Sequence, residues 1–438
     1  MLGELKDRAA QAVEMAQDSG AEEAWVSTSR NRDVEFEYRD GALEKVKDTT
    51  SQRMSVQIFA GGRYSTHSTT DLEESRLRGF IDEAVAITRA LEPDEFRQIT
   101  SAELFANRSN ANLELVDETV STLGRSQRLA WCEALDEASH AHERVISATA
   151  GVYDGLAQSA DASSNGFSGT QEQTYCWFGS SITLRDEGDR RAEDSYYVGG
   201  AHVADLPDAS EIGQAALNRT LNRLGSEKGP TLKTTMLVDA RAAASLLGRL
   251  LRPANARSIQ QSQSFWAGLD DTQAFSKEFT VVDNPLLVRG LASRYYDTEG
   301  ITAKAMPIVE DGRVRNVYVD TYYGRKAGMA PTTGRPSNLV VKPGAQNLEQ
   351  LLATVGEGVF VTSWLGGNAD STTGDFSLGL RGHMIEGGKI ARPVGEMNVT
   401  GNLRELFSQL ELVGSDVYPY ATTLSPSLVF GGVDFSGA

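Results

Sequence analysis

The chain has 438 residues, 40% of them hydrophobic, and sets 60 acidic against 42 basic side chains for a formal charge of -18. That length exceeds one ordinary core and predicts two or three domains, while the acidic excess, offset by no Lys/Arg-rich block, repels phosphate backbones and argues against direct nucleic-acid binding. No apolar run approaches the ~20 residues needed to span a bilayer, and Cys132 and Cys176, the two cysteines, are far apart and in no CxxC spacing, which fits a reducing compartment without a disulfide framework. The first residues open directly on an amphipathic helix, with neither a basic n-region nor an apolar h-region, so the expected location is cytoplasmic.

Leu2, Leu5, Ala9, Val13 and Ala16 recur at helical spacing and stop at Gly20, a C-terminal cap signal. Ala24 to Ser29 reads as a strand. Val34, Phe36 and Tyr38 alternate toward Asp40-Gly41, a hairpin-type turn, and Met54, Val56 and Ile58 alternate toward Gly61-Gly62. Asp71-Leu-Glu-Glu74 has the form of a capping box opening a helix through Leu77, Ile81, Ala84 and Ile87. Glu92 to Asp117, polar and without apolar periodicity, reads as a connector.

A similar order follows. A helix near Leu129 to Ala141 precedes a strand at Val145 to Ala150; Asn165-Gly166 makes a turn, Tyr175, Trp177 and Ile182 lie in strand-like runs, and Asp208-Ala-Ser-Glu211 forms a second capping box before Ile212, Ala216 and Leu224. The repeat predicts a duplicated α+β unit, each of helix, antiparallel strands and helix, over residues 1–100 and 118–226. From Gly229 the character changes to short strands punctuated by Gly, Pro and Asn, with helices expected at Arg241 to Leu251, Leu348 to Val355 and Leu403 to Leu410. The fold class is therefore α+β, with a mostly β domain over residues 229–438 closing into a barrel or sandwich, since open edges invite aggregation.

The densest signal lies in Thr373-Gly-Asp-Phe-Ser-Leu-Gly-Leu-Arg-Gly-His383, followed by Ile385-Glu-Gly-Gly-Lys-Ile390 and Pro393-Val-Gly-Glu-Met-Asn-Val-Thr-Gly-Asn-Leu403. Glycine at this frequency allows tight turns and close backbone approach. Gly374, Asp375, Phe376, Gly379, Gly382 and His383 form a candidate substrate-groove or structural motif, and Gly374 to Gly388 is a candidate edge for pairing with an extended peptide by strand addition. With Pro336-Ser-Asn-Leu-Val340 and Asp320-Thr-Tyr-Tyr-Gly-Arg-Lys-Ala-Gly328, this run resembles the C-terminal domain of the TldD/PmbA family, the two-subunit metallopeptidases also called modulators of DNA gyrase.

The resemblance implies a zinc site, in catalytic members, on a His-Glu-x-x-x-His helix near the start of the C-terminal domain, with a further ligand, cysteine in some, toward the C-terminus. Here the corresponding helix, Arg241 to Leu251, has no histidine or carboxylate, and no cysteine follows Cys176. A zinc site needs three or four converging N, S or O ligands, so the match is to the PmbA (TldE) branch. No catalytic residue and no metal ligand is assigned. The expected role is a non-catalytic subunit pairing with a zinc-bearing TldD-type chain, or self-associating, in a cytoplasmic peptidase for unfolded or leader-like peptides. The alternatives are a self-associating binding or scaffold protein and a subunit of a biosynthetic amide hydrolase.

Among the five histidines, His140 and His142 fall two apart on the predicted helix and diverge. His67 reads as part of a polar strand end, and His383 is the candidate functional histidine, weighed against a structural hydrogen bond. The aromatic pairs Tyr295-Tyr296 and Tyr322-Tyr323 are candidates for a groove lining or for core packing. Asp283, Asp297, Asp320 and Asp375 read as turn-formers. There is no G-x-S-x-G elbow, P-loop or full G-x-G-x-x-G, which disfavours an independent hydrolase.

Overall fold

The alternation that begins at Ala24 runs on through Tyr38, and in the computed structural model, which describes residues 2–437, it makes one long strand rather than two short ones. Helix α1 (Leu2–Asp18) leads into strands β1 (Glu23–Arg39), β2 (Ala42–Ala60) and β3 (Arg63–Thr69) and helix α2 (Glu74–Arg89). Both hairpin turns fall at the expected Asp40-Gly41 and Gly61-Gly62, where all four residues have positive φ. After the connector come α3 (Glu118–Thr122), α4 (Arg125–Ser139), β4 (Val145–Ser163), β5 (Ser168–Arg185), β6 (Arg191–Gly200) and α5 (Ala209–Leu221). The helix, three strands, helix order thus occurs twice.

The two copies share one sheet. Its order is β3-β2-β1-β4-β5-β6, with β1 and β4 paired antiparallel from Trp25 opposite Ser163 to Arg39 opposite Thr149. Even-numbered positions of β1 face the helices: Ala24 and Val26 pack under α1 and α2, and Val34 and Phe36 under α4 and α5. The odd-numbered positions Ser27, Ser29 and Asn31 emerge on the opposite, polar face.

The C-terminal domain contains β7 (Glu227–Lys228), β8 (Leu232–Val238), α6 (Ala240–Leu251), α7 (Ala256–Gln260), β9 (Val281–Asp283), β10 (Met306–Glu310), β11 (Arg313–Val314), α8 (Thr321–Ala327), β12 (Leu339–Val341) and α9 (Leu348–Val355). It continues with β13 (Gly358–Ala369), β14 (Asp375–Glu386), β15 (Lys389–Asn402), α10 (Leu403–Ser408), β16 (Leu410–Val413), β17 (Thr423–Leu424) and β18 (Leu428–Ser436). In the larger sheet, β16-β18-β8-β13-β14-β15-β7, an extra pairing of β15 with β18 closes β18, β8, β13, β14 and β15 into a five-stranded barrel. Closure removes the edges that an open sheet leaves exposed. Helix α6 seals the barrel with Leu246, Leu247 and Leu250, all fully buried, each worth ~1.5–3 kcal/mol on transfer from water. A second sheet, β11-β10-β9-β12-β17, packs beside it.

Three expectations need correction. Asp71 is not an N-cap: Glu73 occupies that position without a side-chain cap, and Asp71 instead binds Arg76 at 2.7 Å. Asp208 is the N-cap of α5, but its carboxylate accepts no helix amide, so the second capping box is also unformed. The reciprocal box forms instead at Asn347 and Gln350 ahead of α9. Gly374 to Gly388 is not an edge, because β14 is hydrogen-bonded to β13 on one side and β15 on the other, leaving no free backbone for a peptide strand.

Candidate functional site

The polar face of the six-stranded sheet looks across a groove at loops of the C-terminal domain. Ser27, Ser29 and Asn31 of β1, Ser159 and Asp161 of β4 and Gln171 and Gln173 of β5 make its floor, and Tyr296, Arg294 and Arg335 its far wall, enclosing about 560 Å³. Amides and hydroxyls project from a rigid sheet here, suited to hydrogen-bonding a polar, extended chain. Gln173 also donates to the carbonyl of Leu291 at 3.2 Å, joining floor to wall.

The far wall is fixed by the family-like motifs. Asn338 donates from its side-chain amide to the Asn284 carbonyl at 2.9 Å and to Ser293 Oγ at 2.8 Å, and accepts from the Ala292 amide at 2.9 Å. Asp283, fully within the protein, accepts from the Ser337 amide and hydroxyl and from the Tyr318 hydroxyl at 2.9 Å. Burial, reinforced by Asp283, pushes the Tyr318 phenol far above its usual range. Asp297 receives the amides of Glu299 and Ile301 at 2.9 and 3.0 Å and the Thr333 hydroxyl at 2.9 Å. The turn-former reading fits Asp297, which closes its own loop. It also fits Asp320, which caps α8 at the Tyr323 amide, and Asp375, which accepts from Thr373 and Asn402. Asp283 differs: it ends β9 and is a buried hydrogen-bond hub.

Of the tyrosine pairs, Tyr296 lines the groove, its hydroxyl donating to Asp161 at 3.1 Å, and burial raises the Asp161 carboxyl above its ordinary value. Tyr322 lies elsewhere, with its hydroxyl on Asp94 at 2.8 Å and its ring under Arg97.

The glycine-rich motif runs along β14. Phe376 is buried in the barrel core, Asp375 is exposed, and Gly374 sits in a turn at φ +87. A Cβ on Gly382 would stand 2.0 Å from the Phe360 carbonyl oxygen, whereas one on Gly379 finds its nearest atom, Leu365 Cβ, at 3.4 Å. His383 is 8% exposed and hydrogen-bonds the Asn222 carbonyl through Nε2 at 2.9 Å. The motif therefore packs the barrel against the central unit, away from the large groove.

The other histidines are apart. His140 follows the end of α4 and hydrogen-bonds the Asp136 carbonyl, with Asp40 at 3.3 Å; His142 lies beyond the helix, so their divergence does not come from helical geometry. His67 hydrogen-bonds Ser65 and lies within β3, opposite Val56 of β2, rather than at a strand end.

Where α6 meets the central unit, a polar cluster escaped the sequence reading. Arg223 binds Asp194 at 2.7 Å and Ser363 at 3.1 Å, Arg219 lies 3.6 Å from Asp194, and Arg241, the second residue of α6, stacks over Tyr196 and Tyr418. Burial lowers the Arg223 and Arg241 pKa values. The available signal was the pair Arg219 and Arg223, four apart where α5 ends.

Family models for PmbA/TldA metallopeptidase domain 1, central domain and C-terminal domain match residues 26–88, 118–224 and 231–437. The chain belongs to the PmbA/TldD family of metallopeptidases. It is 26% identical to the metalloprotease PmbA of Escherichia coli O157:H7 over 94% of this chain and 92% of that one. A solved protein of Bacteroides thetaiotaomicron, designated a proposed modulator of DNA gyrase, is 34% identical with a TM-score of 0.96 over 99% of both chains. The fold is also that of TldE from Thermococcus kodakarensis, at 16% identity, a TM-score of 0.86, and 98% and 100% coverage.

A metallopeptidase family implies zinc, and the residues of α6 do not fit it. The helix reads Ala-Arg-Ala-Ala-Ala-Ser-Leu-Leu-Gly-Arg-Leu-Leu, its only neutral side-chain donor being the Ser245 hydroxyl. Among the described residues no group of three or more His, Cys, Asp or Glu is placed to hold a metal. No described helix is long and apolar enough to cross a membrane.

Proposed function

We propose that this PmbA/TldD chain is the non-catalytic, TldE/PmbA-type subunit of a cytoplasmic zinc metallopeptidase that acts on unfolded or leader-like peptides, the zinc being held by a TldD-type partner. The observation that supports this reading is α6, the helix that the resemblance sets against the metal helix of catalytic members: it carries alanine, leucine, arginine, glycine and one serine, and no histidine, cysteine or carboxylate. Without a Lewis acid, water has no activator at this position. What the chain retains is a walled groove of hydroxyls and side-chain amides, which favours holding an extended peptide over cleaving it.

The test is hydrolysis of an unfolded peptide by this chain, by a zinc-bearing TldD-type chain, and by their mixture, with and without chelator. This chain alone should be inactive, and the mixture should cleave in a chelator-sensitive way as a stable complex. A permanent pair should bury more than roughly 1,600 Å² and survive nanomolar dilution. Chelator-insensitive cleavage by this chain alone overturns the proposal, and failure to bind any zinc-bearing relative favours a self-associating scaffold.

A further inference from the structure

A second cleft of about 420 Å³ opens between β6, the segment after α5 and strands β14 and β15 of the barrel. Five cations and four carboxylates line it, one net positive charge in a chain whose formal charge is -18. Three of those cations are matched already: Arg190 by Asp186 and Glu187, Arg223 by Asp194, and Lys228 by Glu396. Arg381 and Arg191 meet no carboxylate among the described residues. Arg381 has only the Glu193 carbonyl, at a long 3.5 Å.

His383 lies two residues from Arg381 on β14 and also lines the cleft. Its Nε2 faces a carbonyl and so carries the hydrogen, which leaves Nδ1 a bare acceptor. That nitrogen is buried without a partner, an arrangement that is costly unless something fills the hydrogen bond. Apolar walls from Ala192, Leu365 and Val394 complete the space.

We propose that this cleft is a binding site for a single carboxylate, the C-terminal α-carboxylate of a peptide, held by Arg381 and Arg191 with His383 as the inner donor. The identification of the acid as a peptide terminus rests on the reading of the chain as a peptide-handling subunit; the carboxylate site itself does not. A guanidinium matches a planar carboxylate with paired donors. The two guanidiniums without a carboxylate partner suit a monoanion, whereas the higher charge of a phosphate would be repelled more strongly by the flanking Glu193 and Glu227. The apolar walls take the terminal side chain.

Binding requires His383 to gain a proton on Nδ1 and become a donor. Arg219 of α5 and Arg223 just beyond its end act on it directly, and Arg381 from its own strand, Arg191 and Glu193 from β6, and Glu396 from β15 line the same cleft. Burial, and after it the guanidiniums of Arg223 and Arg219, disfavour that proton in the empty cleft, and an arriving anion opposes them. Proton uptake therefore accompanies binding, and affinity rises as pH falls.

The experiment is calorimetric titration of the purified chain with N-acetyl-Ala-Ala-Leu-Leu as free acid and as amide, at pH 6 and 8 and in two buffers of different ionisation enthalpy. The free acid should bind about tenfold or more tightly than the amide, with proton uptake, and Arg381→Met should abolish the difference. Arg191→Gln, at an exposed position, should weaken the acid while leaving thermal unfolding unchanged. Equal binding of acid and amide, no binding of either, or an unaltered preference in both variants overturns the site. Competition by acetate as strong as that by the tetrapeptide keeps the carboxylate site but assigns it to a free small acid. Acid-selective binding together with no partner-dependent hydrolysis removes the subunit reading while the cleft assignment stands.

Discussion

Arg128 and Asp154 form a bidentate ion pair, 2.6 Å at each nitrogen–oxygen contact, with side chains only 4% and 2% exposed. The pair fastens α4 to β4, and Arg128 also donates to the Leu123 carbonyl at 2.7 Å. Desolvating two charges offsets much of their attraction, so the pair's net contribution is small, but orphaning one partner is costly. Asp154→Asn is expected to destabilise the chain by about 3–5 kcal/mol, and the double change Arg128→Met with Asp154→Leu to recover most of that. Urea unfolding of the single and double variants measures it. A single variant as stable as the parent would show that water reaches the pair.

Three glycines of one motif should respond differently. Gly382→Ala places Cβ against the Phe360 carbonyl on the paired strand, and the backbone shift required costs about 1–3 kcal/mol. Gly374→Ala forces an L-residue to φ +87, for about 1–2 kcal/mol. Gly379→Ala meets ordinary contacts only and should stay within about 0.5 kcal/mol. Equal effects across the three, read from unfolding midpoints, would refute this ordering.

His383 supplies a pH test in the chain alone. Burial, the leading cause, and then Arg223 and Arg219 hold its pKa below the ordinary histidine value, against the opposing hydrogen bond to Asn222. As pH falls, the unfolded chain takes up this proton first. The stability associated with neutral His383 is therefore complete above the unfolded value of about 6.5 and is lost as pH drops below it. Relative to His383→Gln, the parent chain should keep a constant stability difference from pH 7 to 8.5 and lose ground from pH 6.5 to 5. A difference that does not change toward acid pH would mean that the ring protonates in place without penalty.

The sequence made the repeat and the barrel legible because their signals are local. Val34, Phe36 and Tyr38 alternate whatever lies around them, and Asp40-Gly41 turns the chain by its own backbone preference. Strand length was read short, since polar Arg30 and Arg32 interrupt the apolar alternation of β1 between the two stretches, Ala24–Val26 and Val34–Phe36, that separate pairs of helices cover. The buried position of β14 was hidden, because glycines that admit a ligand backbone equally admit a neighbouring strand, as Gly382 does for Phe360. The clefts were not legible at all: Arg381, Arg191 and Asn222 are brought together only by docking of the central unit on the barrel. That α6 carries no histidine, cysteine or carboxylate was legible, being a matter of residue type alone.

Docking of the connector gives the last prediction. Segment 92–117 has almost no regular structure, yet it is anchored from α8 of the C-terminal domain. Arg325 donates to the carbonyls of Gln98 and Ile99 at 2.7 and 2.8 Å, and Tyr322 donates to Asp94 at 2.8 Å while its ring lies 3.6 Å beneath the Arg97 guanidinium. Burial lowers the Arg325 pKa, but a guanidinium remains charged, so these are charge-assisted bonds to carbonyls that have no helix or strand partner of their own. Arg325→Met keeps the aliphatic stem and removes the donors, leaving partly buried carbonyls unsatisfied at about 1–3 kcal/mol. Because Leu104, Ala111, Leu113 and Leu115 are held by separate hydrogen bonds from Thr302, Tyr295, Arg289 and Thr174, that loss should appear as local opening around residues 94–99 rather than global unfolding. Limited proteolysis should then cut within residues 92–100 roughly tenfold faster than in the parent, while the midpoint of thermal unfolding shifts little. Cleavage at the parent's rate would mean that Tyr322 and Arg97 suffice to hold the segment, and the double change Arg325→Met with Tyr322→Leu, cut no faster than the parent, would remove the anchor from α8 altogether.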